Sequence, residues 1–249
     1  MKKHAFTLAE VMKKFPPFLG RVRVGMKQYP SQPPLIRGGA LAFTLAEVLI
    51  TLGVIGVVAA MTLPSVIKNY QKHKTVNQLK KVYTVLNQAF RMSEIDNGDY
   101  EHWNKIAEIG KTEYVNKYWK PYLKVLKTCN NYTECGYSES TPWMNAINSR
   151  KSGNIIHNNS LILSDGTLII FKDNSRNILV DLNSYSAPNR FGHDLFQFNI
   201  YKEEIKPAGL DGYACEGFCN KTKDTSDNGE WCAGKIVQDG WKIKDDYPW

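Results

Sequence analysis

The sequence predicts an α+β fold in which one long N-terminal helix crosses a membrane and continues into a head built on an antiparallel β-sheet. Three observations carry this: a 21-residue apolar run from Phe43 to Leu63, an amphipathic continuation of the same run to about Ser93, and a set of short strand-like segments confined to residues 160–201. Helix first and sheet afterwards is the element order of an α+β domain.

The apolar run reads FTLAEVLITLGVIGVVAAMTL, with Glu47 as its one ionisable side chain. At about 1.5 Å per residue such a helix covers roughly 30 Å, the thickness of a bilayer core. Four domains follow from the pattern: a basic leader over 1–42, the membrane-spanning part over 43–63, an extracytoplasmic stretch of helix over 64–95 and a globular head over 96–249. The chain carries 32 cations and 24 anions. Eight of those cations (Lys2, Lys3, Lys13, Lys14, Arg21, Arg23, Lys27 and Arg37) lie in the leader beside the single anion Glu10, so the rest of the chain holds 24 against 23 and is almost neutral. That removes most of the case for a nucleic-acid surface, which needs clustered positive charge. Cationic flanks stay in the cytoplasm, so everything past Pro64 is expected on the translocated side.

In the extracytoplasmic stretch, Leu79, Val82, Tyr83, Leu86, Ala89 and Phe90 form one apolar stripe, and the helix is expected to stop before Asp96-Asn97-Gly98-Asp99. Residues 101–127 suggest one or two amphipathic helices interrupted before Pro121, with Trp103, Tyr114, Tyr118, Trp119 and Tyr122 as core aromatics. Ser160–Phe171 suggests a hairpin around Asp165-Gly166, a dipeptide suited to a type I′ turn, and Ile178–Leu182 and Leu195–Tyr201 add strands.

All five cysteines, Cys129, Cys135, Cys215, Cys219 and Cys232, fall past the apolar run and lack the paired spacing of a zinc site. Beyond the membrane, disulfides are the expected chemistry: Cys129 with Cys135 as a local bridge, and Cys232 with Cys219 or Cys215. An odd count leaves one thiol over.

The residues Ala42-Phe43-Thr44-Leu45-Ala46-Glu47-Val48, with the apolar run behind them, resemble the type III signal of type IV prepilins and of the pseudopilins of type II secretion. The resemblance implies that a prepilin peptidase cuts between Ala42 and Phe43 and methylates the new amine. It places Glu47 at the family's acidic fifth position of the mature chain, and it matches Pro64 to a proline found where the span ends. Ala42 departs from the family's usual Gly. The implied product is a non-enzymatic structural subunit of a type IV pilus or type II secretion-like filament. Its partners are other pilin-like subunits, the peptidase, an inner-membrane assembly platform and the lipid bilayer, and its location is the bacterial cytoplasmic membrane or an extracytoplasmic filament.

An ionisable side chain inside an apolar helix needs a partner. The free amine of Phe43 on a neighbouring subunit is the nearest candidate, and at about 4 Å and an effective dielectric near 20 the pair attracts by roughly 4 kcal/mol before desolvation. Small residues at Gly53, Gly56, Ala59 and Ala60 permit close helix approach.

Ala5-Phe6-Thr7-Leu8-Ala9-Glu10-Val11 repeats residues 42–48 letter for letter, but Lys13, Lys14, Pro16 and Pro17 follow it, so only the second copy can insert. Met26 offers an alternative start. Further on, Asp181, Asn183 and Asp194 lie in a D-x-N, P-N, G-x-D-x-F pattern that resembles the heads of many pilin-like proteins. They are candidate oxygen ligands for calcium, or Asx turns that hold a loop between strands; no other cofactor is expected. The rival class is a secreted or membrane-anchored enzyme or binding domain with an ordinary signal, whose best residues are His157, His193 with Asp194, and Ser164 with Asp165. These form no recognisable nucleophile-base grouping.

Overall fold

The computed structural model describes residues 43–249, apart from 131–132, 138–142, 153–159, 173, 175, 202–203 and 211–217. The leader, Ala42, the upstream copy of the heptapeptide, His157 and Cys215 lie outside the described residues.

Helix α1 runs unbroken over 53 residues from Leu45 to Asn97, with Pro64 in its interior. Its apolar stretch has no buried residue and is long enough to cross a membrane. Past residue 74 the character changes: Thr75, Val76, Leu79, Val82, Leu86, Ala89, Phe90 and Ser93 are buried along one face, while Tyr83 is half-buried and stacks on Phe198 with ring centroids 6.1 Å apart. The helix continues four residues beyond the expected Ser93. Asn97 Nδ2 donates to the Ser93 carbonyl at 3.1 Å and to Tyr122 Oη at 3.0 Å, and Gly98 at φ 79° supplies the left-handed residue that ends it.

A 3₁₀ turn (Tyr100–His102) and two short helices, α2 (Ile106–Ile109) and α3 (Lys111–Tyr118), come next. They carry Trp103, Tyr114, Tyr118 and Trp119 into the core around Phe90. The expected helical stretch to residue 127 ends early, because Val125–Cys129 forms β1. Cross-strand pairing with β2 decides that segment, and local helical periodicity does not.

The sheet is a six-stranded antiparallel meander in chain order, β1, then β2 (Ser160–Leu163), β3 (Leu168–Phe171), β4 (Asn177–Asp181), β5 (Leu195–Tyr201) and β6 (Glu204–Pro207). Both faces of its centre are covered. Ile169, Phe171, Ile178, Val180, Phe196 and Phe198 join the large core with α1, and Leu168, Ile170, Leu179 and Leu195 join a smaller cluster with Tyr137, Trp143 and the Cys129–Cys135 bridge. Successive side chains on a strand point to opposite faces, so a strand covered on both sides is apolar throughout, as Leu168–Phe171 is.

The β2–β3 connection is not the expected type I′ turn. Leu163 and Thr167 close a three-residue loop through Leu163 N–H to Thr167 O at 2.8 Å, Gly166 N–H reaches Leu163 O at 3.0 Å, and only Gly166 is left-handed, at φ 88°. Asp165 is held otherwise: its Oδ1 accepts from Thr167 N–H at 3.1 Å and its Oδ2 pairs with Lys81 of α1 at 2.6 Å. The C-terminal segment contains helix α4 (Cys232–Gln238), which no periodicity in the sequence announced and whose Cys232, Ala233 and Ile236 enter the large core.

Candidate functional site

Two regions gather the residues singled out by the sequence. The first is the start of α1. Phe43 is 82% exposed. Thr44 and Glu47 close a reciprocal cap: Thr44 N–H and Thr44 Oγ1–H both donate to Glu47 Oε2 at 2.8 Å, and Glu47 N–H donates to Thr44 Oγ1 at 3.2 Å. This is a capping box, in which a Thr at the N-cap and a Glu three residues on satisfy each other's orphan donors. The Thr-x-x-Glu spacing directly before an apolar run is its sequence signature. Thr44 is therefore the cap of α1 and the partner of Glu47, which the charge argument alone passes over.

Along the span, Gly53 and Gly56 have open space where a side chain would stand, which is the surface a second helix needs for close approach. The hydroxyls of Thr51, Thr62 and Ser65 turn back to carbonyls of their own helix at 3.0 Å each, so these polar groups are satisfied within the segment, as a lipid environment demands. Pro64 sits inside the helix, and α1 passes through it into the amphipathic part.

The second region is the loop from Asp181 to Leu195. The structure brings Asp181, Asn183 and Asp194 into one neighbourhood, and both carboxylates are occupied by internal donors. Asp181, fully buried, accepts from Tyr137 Oη at 2.9 Å, Trp143 Nε1 at 3.2 Å and Asn183 N–H at 3.2 Å. Asp194 accepts from Asn189 N–H at 2.8 Å and Arg190 N–H at 2.7 Å. Burial first, and the neighbouring Asp194 carboxyl second, pushes the Asp181 carboxyl well above its ordinary value; burial likewise raises Asp194. Calcium asks for six to eight oxygen ligands, whereas these oxygens are directed to backbone and ring N–H groups and a phenol, the geometry of Asx turns. Among the described residues no group of three or more His, Cys, Asp or Glu side chains could hold a metal ion.

His193 is held by packing against the C-terminus and by its own loop. Its ring stacks on Trp249 with centroids 4.3 Å apart, its Nε2 lies 3.1 Å from the Pro248 carbonyl, and the Arg190 guanidinium contacts the ring. Burial, then Arg190, holds its pKa down to about 3. Asp194 points to the loop backbone, so the two form no acid-base pair, and Asp165 is committed to Lys81. Thr75 of α1 donates to the His193 carbonyl at 3.3 Å, anchoring the loop to the helix.

Gly192 explains itself sterically. At φ +77° with the Cys232 Sγ only 2.9 Å from where a Cβ would stand, it lets the loop close on the Cys219–Cys232 disulfide, while Tyr247 Oη donates to its carbonyl at 2.7 Å. The other disulfide joins Cys129 to Cys135. Tyr137, Trp143, Tyr247 and Trp249 had no signal in the sequence: they reach the loop from 38 to 56 positions away.

One helix of membrane-spanning length, together with two disulfides, marks a membrane-anchored or secreted protein. Residues 65–249 match a family described as "Family of unknown function (DUF6613)", a match that begins immediately after Pro64. No curated protein and no solved structure matches the chain.

Proposed function

The chain belongs to this family of unknown function, and from its own residues we propose that it is a pilin-like structural subunit, cut between Ala42 and Phe43 by a prepilin peptidase and polymerised through α1. The observation that carries the proposal is the single carboxylate of Glu47, set at the mouth of an apolar helix with no buried residue and fifth in the chain past the expected cut. In the isolated subunit the Thr44 cap satisfies that carboxylate. In a bundle of such helices the cut supplies a cation, the Phe43 amine, at a fixed depth in the bilayer. A subunit then enters only where its acid meets a neighbour's amine, because leaving one partner of a buried pair alone costs about 3–5 kcal/mol.

The rest of the molecule fits the role. Exposed Gly53 and Gly56 leave a surface for helix contact, and the stripe from Val76 to Phe90 ties the same helix to the core of the domain. The loop candidates serve as internal struts, and the chain's chemistry is the chemistry done to it. The proposed place of action is the bacterial cytoplasmic membrane, with the domain on the translocated side and disulfide-bonded there.

Mass spectrometry of the mature N-terminus from the native host tests this. A chain beginning at N-methylated Phe43 is the expected result. A start at Met61 would mean an ordinary signal peptide and an uncut chain a simple anchor, and either one overturns the proposal.

A further inference from the structure

We propose that the stretch of α1 from Lys68 to Lys74 is a collar for anionic phospholipid: Lys68 and Lys72 hold lipid phosphates on the translocated side of the bilayer, Lys74 adds its charge just outside them, and Tyr70 anchors among the headgroups. The proposal rests on the membrane-spanning part of the preceding one.

Between Val48 and Ser93 the chain has no Asp or Glu, yet Lys68, Lys72, Lys74, Lys80, Lys81 and Arg91 all fall there. The last three have partners in the domain itself. Lys80 lies over the Trp241 ring at 5.4 Å, Lys81 pairs with Asp165 at 2.6 Å and Arg91 with Glu94 at 2.9 Å. Lys68 and Lys74 are exposed and Lys72 is half-buried.

Position decides what these three cations can reach. At 1.5 Å per residue they stand roughly 7, 13 and 16 Å beyond Leu63. The polar layer of a bilayer leaflet is roughly 5–8 Å thick. Helical side chains lean toward the N-terminus of their helix, which here is toward the membrane, and a lysine stem lies along apolar surface while its ammonium seeks the polar layer. Lys68 therefore sits within the phosphate layer, Lys72 leans back to its outer edge, and Lys74, a little farther out, acts on it through its charge, within a Debye length of about 8–10 Å. At about 100° per residue Lys68 and Lys72 share one side of the helix and Lys74 stands nearly opposite, so charge encircles the helix. Tyr70, 68% exposed in the middle of the segment, gives an independent sign, because tyrosines with a polar tip concentrate at membrane–water interfaces.

The test compares spin-labelled phosphatidylglycerol with spin-labelled phosphatidylcholine as neighbours of the full-length chain in vesicles of the two lipids mixed 1:3. Leader cations contribute equally to every variant, so the readout is the difference between variants. A lysine near an anionic surface is worth roughly a fivefold preference. The native chain is expected to prefer phosphatidylglycerol by at least threefold, with K68Q/K72Q/K74Q losing most of that preference and K117Q/K120Q/K124Q keeping it. A native chain without preference, or a triple variant that retains it, overturns the collar. A mature chain that starts elsewhere than Phe43 but keeps this lipid pattern defeats the pilin proposal and leaves the collar standing.

Discussion

The two ends of α1 obey the same backbone rule in different solvents. From Leu45 to Leu63 apolar side chains stand on every side of the helix and none is buried, and the hydroxyls of Thr51 and Thr62 are satisfied within the helix. From Thr75 to Ser93 the apolar residues gather in one buried stripe, and Asn77, Gln78, Lys80, Lys81, Asn87, Gln88 and Arg91 hold the remaining faces. The same hydrogen-bonded ladder runs through both, so what separates them is where the apolar surface must go: into lipid and neighbouring helices at one end, into the core of its own domain at the other. A fault in the first part should therefore strike assembly and leave folding alone, and a fault in the second should do the reverse.

The largest expected effect lies at Glu47. Glu47→Ala removes the one acid of the span; it should leave cleavage at Phe43 intact and abolish incorporation into filaments, read as sheared filament against total processed subunit. Normal assembly of that variant would sink the proposed role of the carboxylate. Stability of the C-terminal domain should not change.

Next comes the converse. Phe90 is fully buried, with Tyr100, Trp103 and Trp119 at ring distances of 5.7, 5.4 and 6.1 Å. Phe90→Ala should lower the unfolding free energy of the domain by about 3–5 kcal/mol in a denaturant titration, whereas Leu52→Ala, 60% exposed, should move it by less than about 0.5 kcal/mol. Equal losses at both positions would erase the distinction between the two ends.

Most of this contrast was legible in the sequence because each part has a long, uniform period. Leu79, Val82, Leu86, Ala89 and Phe90 were identified as a stripe and are buried. The strand at 195–201, the hairpin and, shifted by one residue from the expected Ile178–Leu182, the strand at 177–181 were legible for a similar reason, being short apolar runs between turn residues. Where the expectation missed, a distant partner had decided the outcome: Val125–Cys129 is a strand because β2 lies beside it, and α4 is fixed by its disulfide and its burial against the core. At the candidate sites the acids were legible as acids, but their partners were not. Tyr137 and Trp143 meet Asp181 only through folding, and the Thr44 cap was overlooked beside the stronger signal of a charge in an apolar run.

A smaller effect should appear with pH at His193, which belongs to the folded domain and touches α1 through Thr75. Its folded pKa, held to about 3, lies below its ordinary 6.5. The unfolded chain therefore binds the proton first, and the stability His193 contributes is complete above 6.5 and is lost as pH falls toward 3. Asp181 and Asp194, raised by burial, act in the opposite sense, so the comparison must be made against His193→Gln. The native chain should lose about 2 kcal/mol more than the variant between pH 6.5 and pH 4.5 in thermal or denaturant melts. Parallel curves would show that the imidazole is free to take its proton in the fold.

The smallest effect sharpens the comparison most, because it separates two uses of one carboxylate. Thr44→Ala removes the hydroxyl that bonds Glu47 in both directions, at a cost typical of a lost N-cap, about 1 kcal/mol. Because the lost bonds are local, amide exchange at residues 45–48 in detergent micelles should quicken by roughly fivefold, while exchange in the Thr75–Ser93 part stays unchanged. Thr44→Ser keeps an oxygen in place and should keep the protection. If Glu47 is also the assembly acid, Thr44→Ala should still form filaments, in lower yield, since the carboxylate remains and only its alignment before docking is lost. Filament yield that falls as far as in Glu47→Ala would mean that the hydroxyl itself meets the neighbouring subunit, and the cap would then be part of the contact as well as its preparation.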